Sequence, residues 1–217
     1  VYNPLCGLAR DGLPIIGLCA LATLVFALLR WPVPAVLFLA LTAFSLNFFR
    51  DPDRTAPTGP GLAVAPADGV VCKLGEAADP LSGEMRQVVC IFMNVFNVHV
   101  NRSPLAATVS EVRYIPGKFF NASLDKASTD NERNILSLTD ADGGRWSVVQ
   151  IAGLIARRIV CKAAAGDKLA RGERYGMIKF GSRLDVYLPH GYHPVVTLGQ
   201  KTMAGVTVVA QKDDAPR

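Results

Sequence analysis

The sequence predicts a mainly β protein, in which an N-terminal hydrophobic helical hairpin is followed by a β-rich, barrel-sandwich-like domain. Three observations predict it. Two long uncharged runs fill most of the first fifty residues; beyond them the apolar runs are short and separated by Gly, Pro and polar turns; and the last third holds two similar turn-strand-turn segments. A chain of 217 residues is long enough for one well-buried domain and an appendage.

The first uncharged run covers residues 12–29 and the second, after Arg30, residues 31–49. As helices each would be about 27 to 29 Å long, close to the roughly 30 Å hydrocarbon layer of a bilayer. Each holds ten Leu, Ile, Val or Phe residues, so insertion gains very roughly 3 to 6 kcal/mol before Pro, Gly, Ser and Asn are set against it. A signal peptide or a buried core hairpin are the competing readings. The first run is long for a signal sequence and lacks a small-x-small cleavage site, which favours a membrane hairpin, spanning or re-entrant. Arg10 precedes the hairpin and Arg50 and Arg54 follow it, against Arg30 alone in the turn. The positive-inside bias therefore puts both ends, and all that follows, on the cytoplasmic face of a cell inner membrane. The net charge of +5 and pI of about 9.1 suit a domain beside anionic headgroups. No nucleic-acid partner is expected. The domains are accordingly 1–50, the membrane hairpin, and 51–217, the β-rich domain.

The Pro- and Gly-rich segment that starts at Asp51 cannot continue a helix. Strands are predicted at residues 70–74, 88–100, 107–115, 146–151, 158–161, 177–188, 195–198 and 206–209, with one short helix near 122–132. The stretch YGMIKFGSRLDVYLP, Tyr175 to Pro189, reads as one long strand with Gly181-Ser182 at its centre. A glycine there marks a bend, a bulge or a close approach. The segments CKAAAGDKLARGERYGMI and PVVTLGQKTMAGVTVVA resemble the turn-strand-turn pattern of lipoyl and biotinyl carrier domains, which implies a flattened barrel or barrel-sandwich hybrid.

A serine at such a bend becomes chemically interesting if a base and an orienting group are at hand. His99 is the candidate base for Ser182. In FMNVFNVHVNRSP, period two puts Asn97, His99 and Asn101 on one face of an otherwise apolar strand. Asp68, in APADGVV, is the candidate orienter. The plainer readings are a satisfied strand imidazole and an Asp-Gly turn residue. Ser182 lacks the G-x-S-x-G elbow of many serine hydrolases, and no hairpin-tip lysine stands where a carrier domain needs one. His190 and His193 have H-x-x-H spacing but no third ligand nearby, so no metal site is expected. The five cysteines form no C-x-x-C pair and are read as reduced.

Taken in order from Phe48 to Pro189, FFRDPDR, APADGVV, FNVHVNRSP, YIPGKFFNASLDKASTDNERN and KFGSRLDVYLP resemble the short form of the phosphatidylserine decarboxylase proenzyme family. The resemblance implies that the chain cuts itself between Gly181 and Ser182, giving chains 1–181 and 182–217 that stay associated. It also implies that Ser182 becomes a pyruvoyl group, the cofactor, with Asp68 and His99 completing a processing triad. The substrate would be a phospholipid, phosphatidylserine or an ether-linked archaeal analogue, decarboxylated at the bilayer surface. Its phosphate and carboxylate need cationic donors, for which Lys118, Lys126 and Arg133 are the candidates. The chain has Phe96 where longer bacterial members carry the first histidine of H-x-x-H. The sequence leaves the oligomer open, a homodimer included.

Overall fold

Two apolar helices, α1 (Leu13–Leu28) and α2 (Pro32–Phe48), follow from the two uncharged runs, and each begins with proline in its first turn. The computed structural model describes residues 4–122, 127–154, 158–179 and 181–213. It divides into two compact units, one ending at Asp53 and the other starting at Arg54. In the first unit Phe26 stacks on Trp31 and Phe38, and the Thr23 and Thr42 hydroxyls meet at 3.4 Å. Leu8 and Arg50 bridge its two ends. The helical span Arg10–Leu28 has the length and composition to cross a membrane, and only 6% of it is covered by protein; α2 is slightly shorter.

The second unit is built almost wholly of strands: β1 (Leu62–Val64), β2 (Gly69–Ala78), β3 (Met85–Met93), β4 (Val100–Arg102) and β5 (Ala107–Ile115) come first. After the short α3 (Ala127–Asp130) come β6 (Arg133–Thr139), β7 (Arg145–Ala152), β8 (Arg158–Cys161), β9 (Lys168–Leu169) and β10 (Arg174–Lys179). The chain ends with β11 (Ser182–Tyr187), β12 (Tyr192–Pro194), β13 (Lys201–Thr202) and β14 (Val208–Lys212). A curled eight-stranded sheet has the order β13-β2-β3-β11-β7-β6-β5-β9, and two three-stranded sheets have the orders β1-β14-β12 and β4-β10-β8. All named pairings are antiparallel. The inner faces of all three meet in one core, where Ile91, Trp146, Val148, Leu184 and Val186 of the large sheet join Ile178 of β10 and Val209 of β14. This is the mainly β architecture with a helical hairpin that the sequence predicted.

Four local expectations need correction. Residues 177–188 are two strands in different sheets, because Gly181 takes a left-handed φ of +63°, which ends the ladder and lets the chain change sheets. Residues 88–100 are likewise split. In a turn after Met93 the Asn97 side chain accepts the Asn94 N–H and the Asn94 side chain accepts the Phe96 N–H, so His99 precedes β4 instead of lying within a strand. β6 was not foreseen, since Asn134 and Ser137 interrupt its apolar pattern. Residues 195–198 form no strand, and β14 pairs instead with β1 on one side and, on the other, with the short β12 just before them.

Candidate active site

The large sheet places Ser182 at its centre line. As the first residue of β11, Ser182 pairs with Met93 of β3 on one side and Ala152 of β7 on the other. Alternation along the strand turns it to the same face as Leu184 and Val186, toward the main core. The residue is fully buried, and among the described residues its Oγ has no hydrogen-bond partner, His99 included. Buried hydroxyls are normally satisfied, so a lone one has a reason to be there. Beneath it runs a polar chain that only Asn101 announced in the sequence. Asn134 Nδ2 donates to Gln150 Oε1 at 3.0 Å, Gln150 Nε2 donates to Asn101 Oδ1 at 2.8 Å, and Asn101 Nδ2 faces Met93 Sδ at 3.9 Å.

His99 is fully buried and lies alongside the segment that leads into Ser182, where its carbonyl accepts the Ile178 N–H at 3.4 Å. Its Nδ1 is 2.9 Å from Asn97 O. A carbonyl oxygen can only accept, so in the neutral ring Nδ1 carries the proton and Nε2 is the basic nitrogen. Asp68 is engaged elsewhere: its carboxylate takes a two-pronged ion pair from Arg54, at 2.5 and 2.9 Å, and the Ala204 N–H at 2.8 Å. None of its hydrogen bonds reaches His99.

Of the three cationic candidates, Lys118 and Arg133 lie among the described residues and differ in their surroundings. Lys118 is exposed, with its Nζ 5.7 Å from the centre of the Phe120 ring. Arg133 turns inward and gives its guanidinium to the carbonyls of Thr129 and Asn131. Lys126 lies outside the described residues.

Behind Ser182, on the opposite face of the sheet, sits an ion pair that the sequence did not advertise. Arg183 and Asp185 are both 1% exposed; Arg183 Nε and Nη2 reach the two carboxylate oxygens at 2.7 and 2.8 Å. The guanidinium also donates to Ala122 O and to the Ser128 hydroxyl, fastening that segment beside the bend. Burial alone would lower the Arg183 pKa, but the Asp185 charge and hydrogen bond outweigh it and raise it. Burial pushes the neighbouring Cys90 thiol well up, with the Asp185 charge adding to it.

Gly181 borders a cavity of about 290 Å³, whose other walls are Phe92, Asn94, Val95, Asn121, Ala122 and Leu154. A buried lone serine hydroxyl thus stands next to a left-handed glycine and an apolar cavity. Residues 41–210 match the family model of phosphatidylserine decarboxylase. The chain belongs to the phosphatidylserine decarboxylase family. It is 79% identical to the phosphatidylserine decarboxylase proenzyme of Solidesulfovibrio magneticus, over 99% of this chain and 100% of that one. To the proenzyme of the same name from Nitratidesulfovibrio vulgaris it is 61% identical, over 97% of each chain. The corresponding proenzyme of Ruegeria pomeroyi is 50% identical, over 92% of this chain and 93% of that one. Within this family frame, sequence reasoning passed over Arg54 as a partner for Asp68, although it closes the FFRDPDR motif. It also passed over Gln150, Arg183 and Asp185, whose strand positions gave no hint of pairing.

Proposed function

We propose that the chain cleaves itself between Gly181 and Ser182 and then converts phosphatidylserine to phosphatidylethanolamine and CO2. The observation that carries this reading is the fully buried, unpartnered Ser182 Oγ beside a left-handed Gly181. His99, through Nε2, takes the hydroxyl proton as Ser182 Oγ bonds to the Gly181 carbonyl carbon. The C–N bond breaks, the nitrogen takes a proton, and an ester replaces the amide. Loss of the Ser182 α-proton and rupture of its Cβ–O bond then free the Gly181 carboxylate and leave dehydroalanine. Tautomerisation, addition of water and loss of ammonia give pyruvoyl, with no oxidant required. Ser182 Oγ has no hydrogen bond to His99 before reaction, and catalytic hydrogen bonds commonly form only as catalysis begins. Asp68 enters as the third member of the processing set on the family resemblance; its ion pair with Arg54 secures the turn before β2.

Pyruvoyl suits this position, where the residue is buried and its hydroxyl bonds to no neighbour that conversion would strand. The group supplies an electron sink for the electrons left when CO2 departs. The chain's own residues bind and shield. Phe92, Val95 and Leu154 give the cavity apolar walls against an acyl-glycerol body, and Asn94 and Asn121 offer amides to its polar end. Exposed Lys118 suits the phosphate, with Lys126 assigned the same part from its place in the motif. Arg133 holds the turn at Thr129–Asn131. The two chains stay together because β11 is paired along both edges, β14 pairs with β1 and β13 with β2, while β12 is held through β14. The hairpin anchors the enzyme in the inner membrane, with the basic flanks Arg10, Arg50 and Arg54 on the cytoplasmic side.

The test is Ser182→Ala in the full chain. The unsubstituted protein should mature into chains 1–181 and 182–217, the smaller with a blocked N-terminus by mass spectrometry. The alanine variant, lacking the attacking oxygen, should remain one inactive chain. A cleaved or active alanine variant overturns the mechanism.

A further inference from the structure

Gly153 follows the last residue of β7, Ala152, which is the cross-strand partner of Ser182. It does not have a positive φ, so its backbone conformation does not call for glycine. What calls for glycine is the space beside it. A Cβ on residue 153 would lie 2.1 Å from the carbonyl oxygen of Gly181 and 3.1 Å from its carbonyl carbon. The next neighbour, Ala122 Cβ, is at an ordinary 3.5 Å. The hydrogen that stands in place of that Cβ therefore faces the oxygen of the scissile bond, in a contact of the Cα–H···O kind.

Gly153 cannot back away from this contact. The preceding residue, Ala152, is pinned through both backbone groups, Asn131 Nδ2 donating to Ala152 O at 2.7 Å and the Ala152 N–H donating to Glu132 O at 2.9 Å. On the other side of the bend, a Cβ on Gly181 would meet nothing within 4 Å. The scissile peptide is thus confined where its oxygen meets residue 153 and open at the Gly181 Cα.

We infer that Gly153 is a positioning residue for self-cleavage, its bare Cα being the seat that fixes the Gly181 carbonyl for attack by Ser182 Oγ. This rests on the proposed cleavage at that bond. Contacts to a Cβ below 3.0 Å do not persist, so alanine at 153 must displace the oxygen by about 1 Å, a misplacement that can cost about 100-fold in rate.

The experiment times self-cleavage of the full-length proenzyme, made by cell-free synthesis into lipid nanodiscs and followed by gel and intact mass, with and without hydroxylamine. In the unsubstituted protein hydroxylamine intercepts the ester and speeds chain separation. Gly153→Ala should cleave about 100-fold more slowly with near-native circular dichroism, and hydroxylamine should not rescue it, because the ester is not formed. Adding Ala122→Gly, which clears the next nearest atom, should restore nothing. Cleavage at the unsubstituted rate, rescue by hydroxylamine, or restoration by Ala122→Gly each overturns the inference. So does failure of both the single and the double variant to fold, which makes Gly153 a packing residue. An unsubstituted chain that never cuts at 181–182 instead sinks the function proposed above, and this inference with it.

Discussion

Replacing Asp185 by Asn should cost the β-rich unit far more stability than its single lost charge suggests. Arg183 would remain 1% exposed, still bonded to Ala122 O and Ser128 but without the Asp185 carboxylate that meets its Nε and Nη2. Removing one partner of a buried ion pair typically costs about 3 to 5 kcal/mol, since the survivor keeps its desolvation penalty without its Coulombic return. For a unit of this size each kcal/mol shifts the melting temperature by about 2 to 4 °C, so a fall of about 6 to 20 °C is expected. The measurement belongs in the Ser182→Ala background, where the chain is uncut and one unfolding transition can be compared with another. Near-UV circular dichroism in detergent reads it through buried Trp146 and Tyr175. The control is Arg183→Leu with Asp185→Leu, which leaves no orphaned charge and should recover most of the loss. A single variant within about 1 kcal/mol of the parent, or a double variant as unstable as the single one, would refute this account.

Stability should also fall on the alkaline side. The folded protein holds the Cys90 proton more tightly than the unfolded chain does, so its contribution is complete below pH 9.0 and declines above it. The slope is about 1.4 kcal/mol per pH unit; Cys90→Ala should flatten the decline between pH 9 and 10 in urea titrations, before Tyr187 joins from 10.0 upward. A chain beginning at Arg54 should still cleave itself, because every group assigned to that step lies at or beyond Arg54. It should lose far more activity on bilayer phosphatidylserine than on a short-chain soluble analogue, and an unchanged ratio of the two rates would show that the hairpin does not serve substrate access.

What was legible in the sequence divides along physical lines. The hairpin was plain because two uncharged runs of bilayer length have few other uses. β5 and β8 were predicted to the residue, since their apolar patterns end at turn residues. His99 and Ser182 stood out as polar groups in apolar surroundings, and burial is what such patterns record. The partnerships were not legible. Nothing in the spacing of Asp68 distinguishes a histidine partner from Arg54, fourteen residues earlier. Gly153 was invisible for a related reason: the oxygen that excludes its side chain comes from Gly181, a neighbour only in the folded chain. Arg183 and Asp185 are two apart on a strand and therefore share a face. That this face is buried was the missing fact.

The split of residues 177–188 into two strands also bears on why the chain would cut where it does. Had Gly181 and Ser182 lain mid-strand, the scissile carbonyl would have belonged to a ladder, and moving it toward a tetrahedral carbon would have strained hydrogen bonds on either side. At the junction, β10 is held by β4 and β8, and β11 by β3 and β7. The two residues between β10 and β11's first residue include a left-handed glycine that permits the turn from one sheet to the other. Cleavage there would remove a connection without removing a strand pair. The 182 end can then change chemically while β11 stays fixed from Ser182 to Tyr187 by both neighbours. On the proposed function, the same rigidity that confines the carbonyl before cleavage would afterwards hold the new prosthetic group beside the cavity at Gly181, so that one placement would serve both reactions.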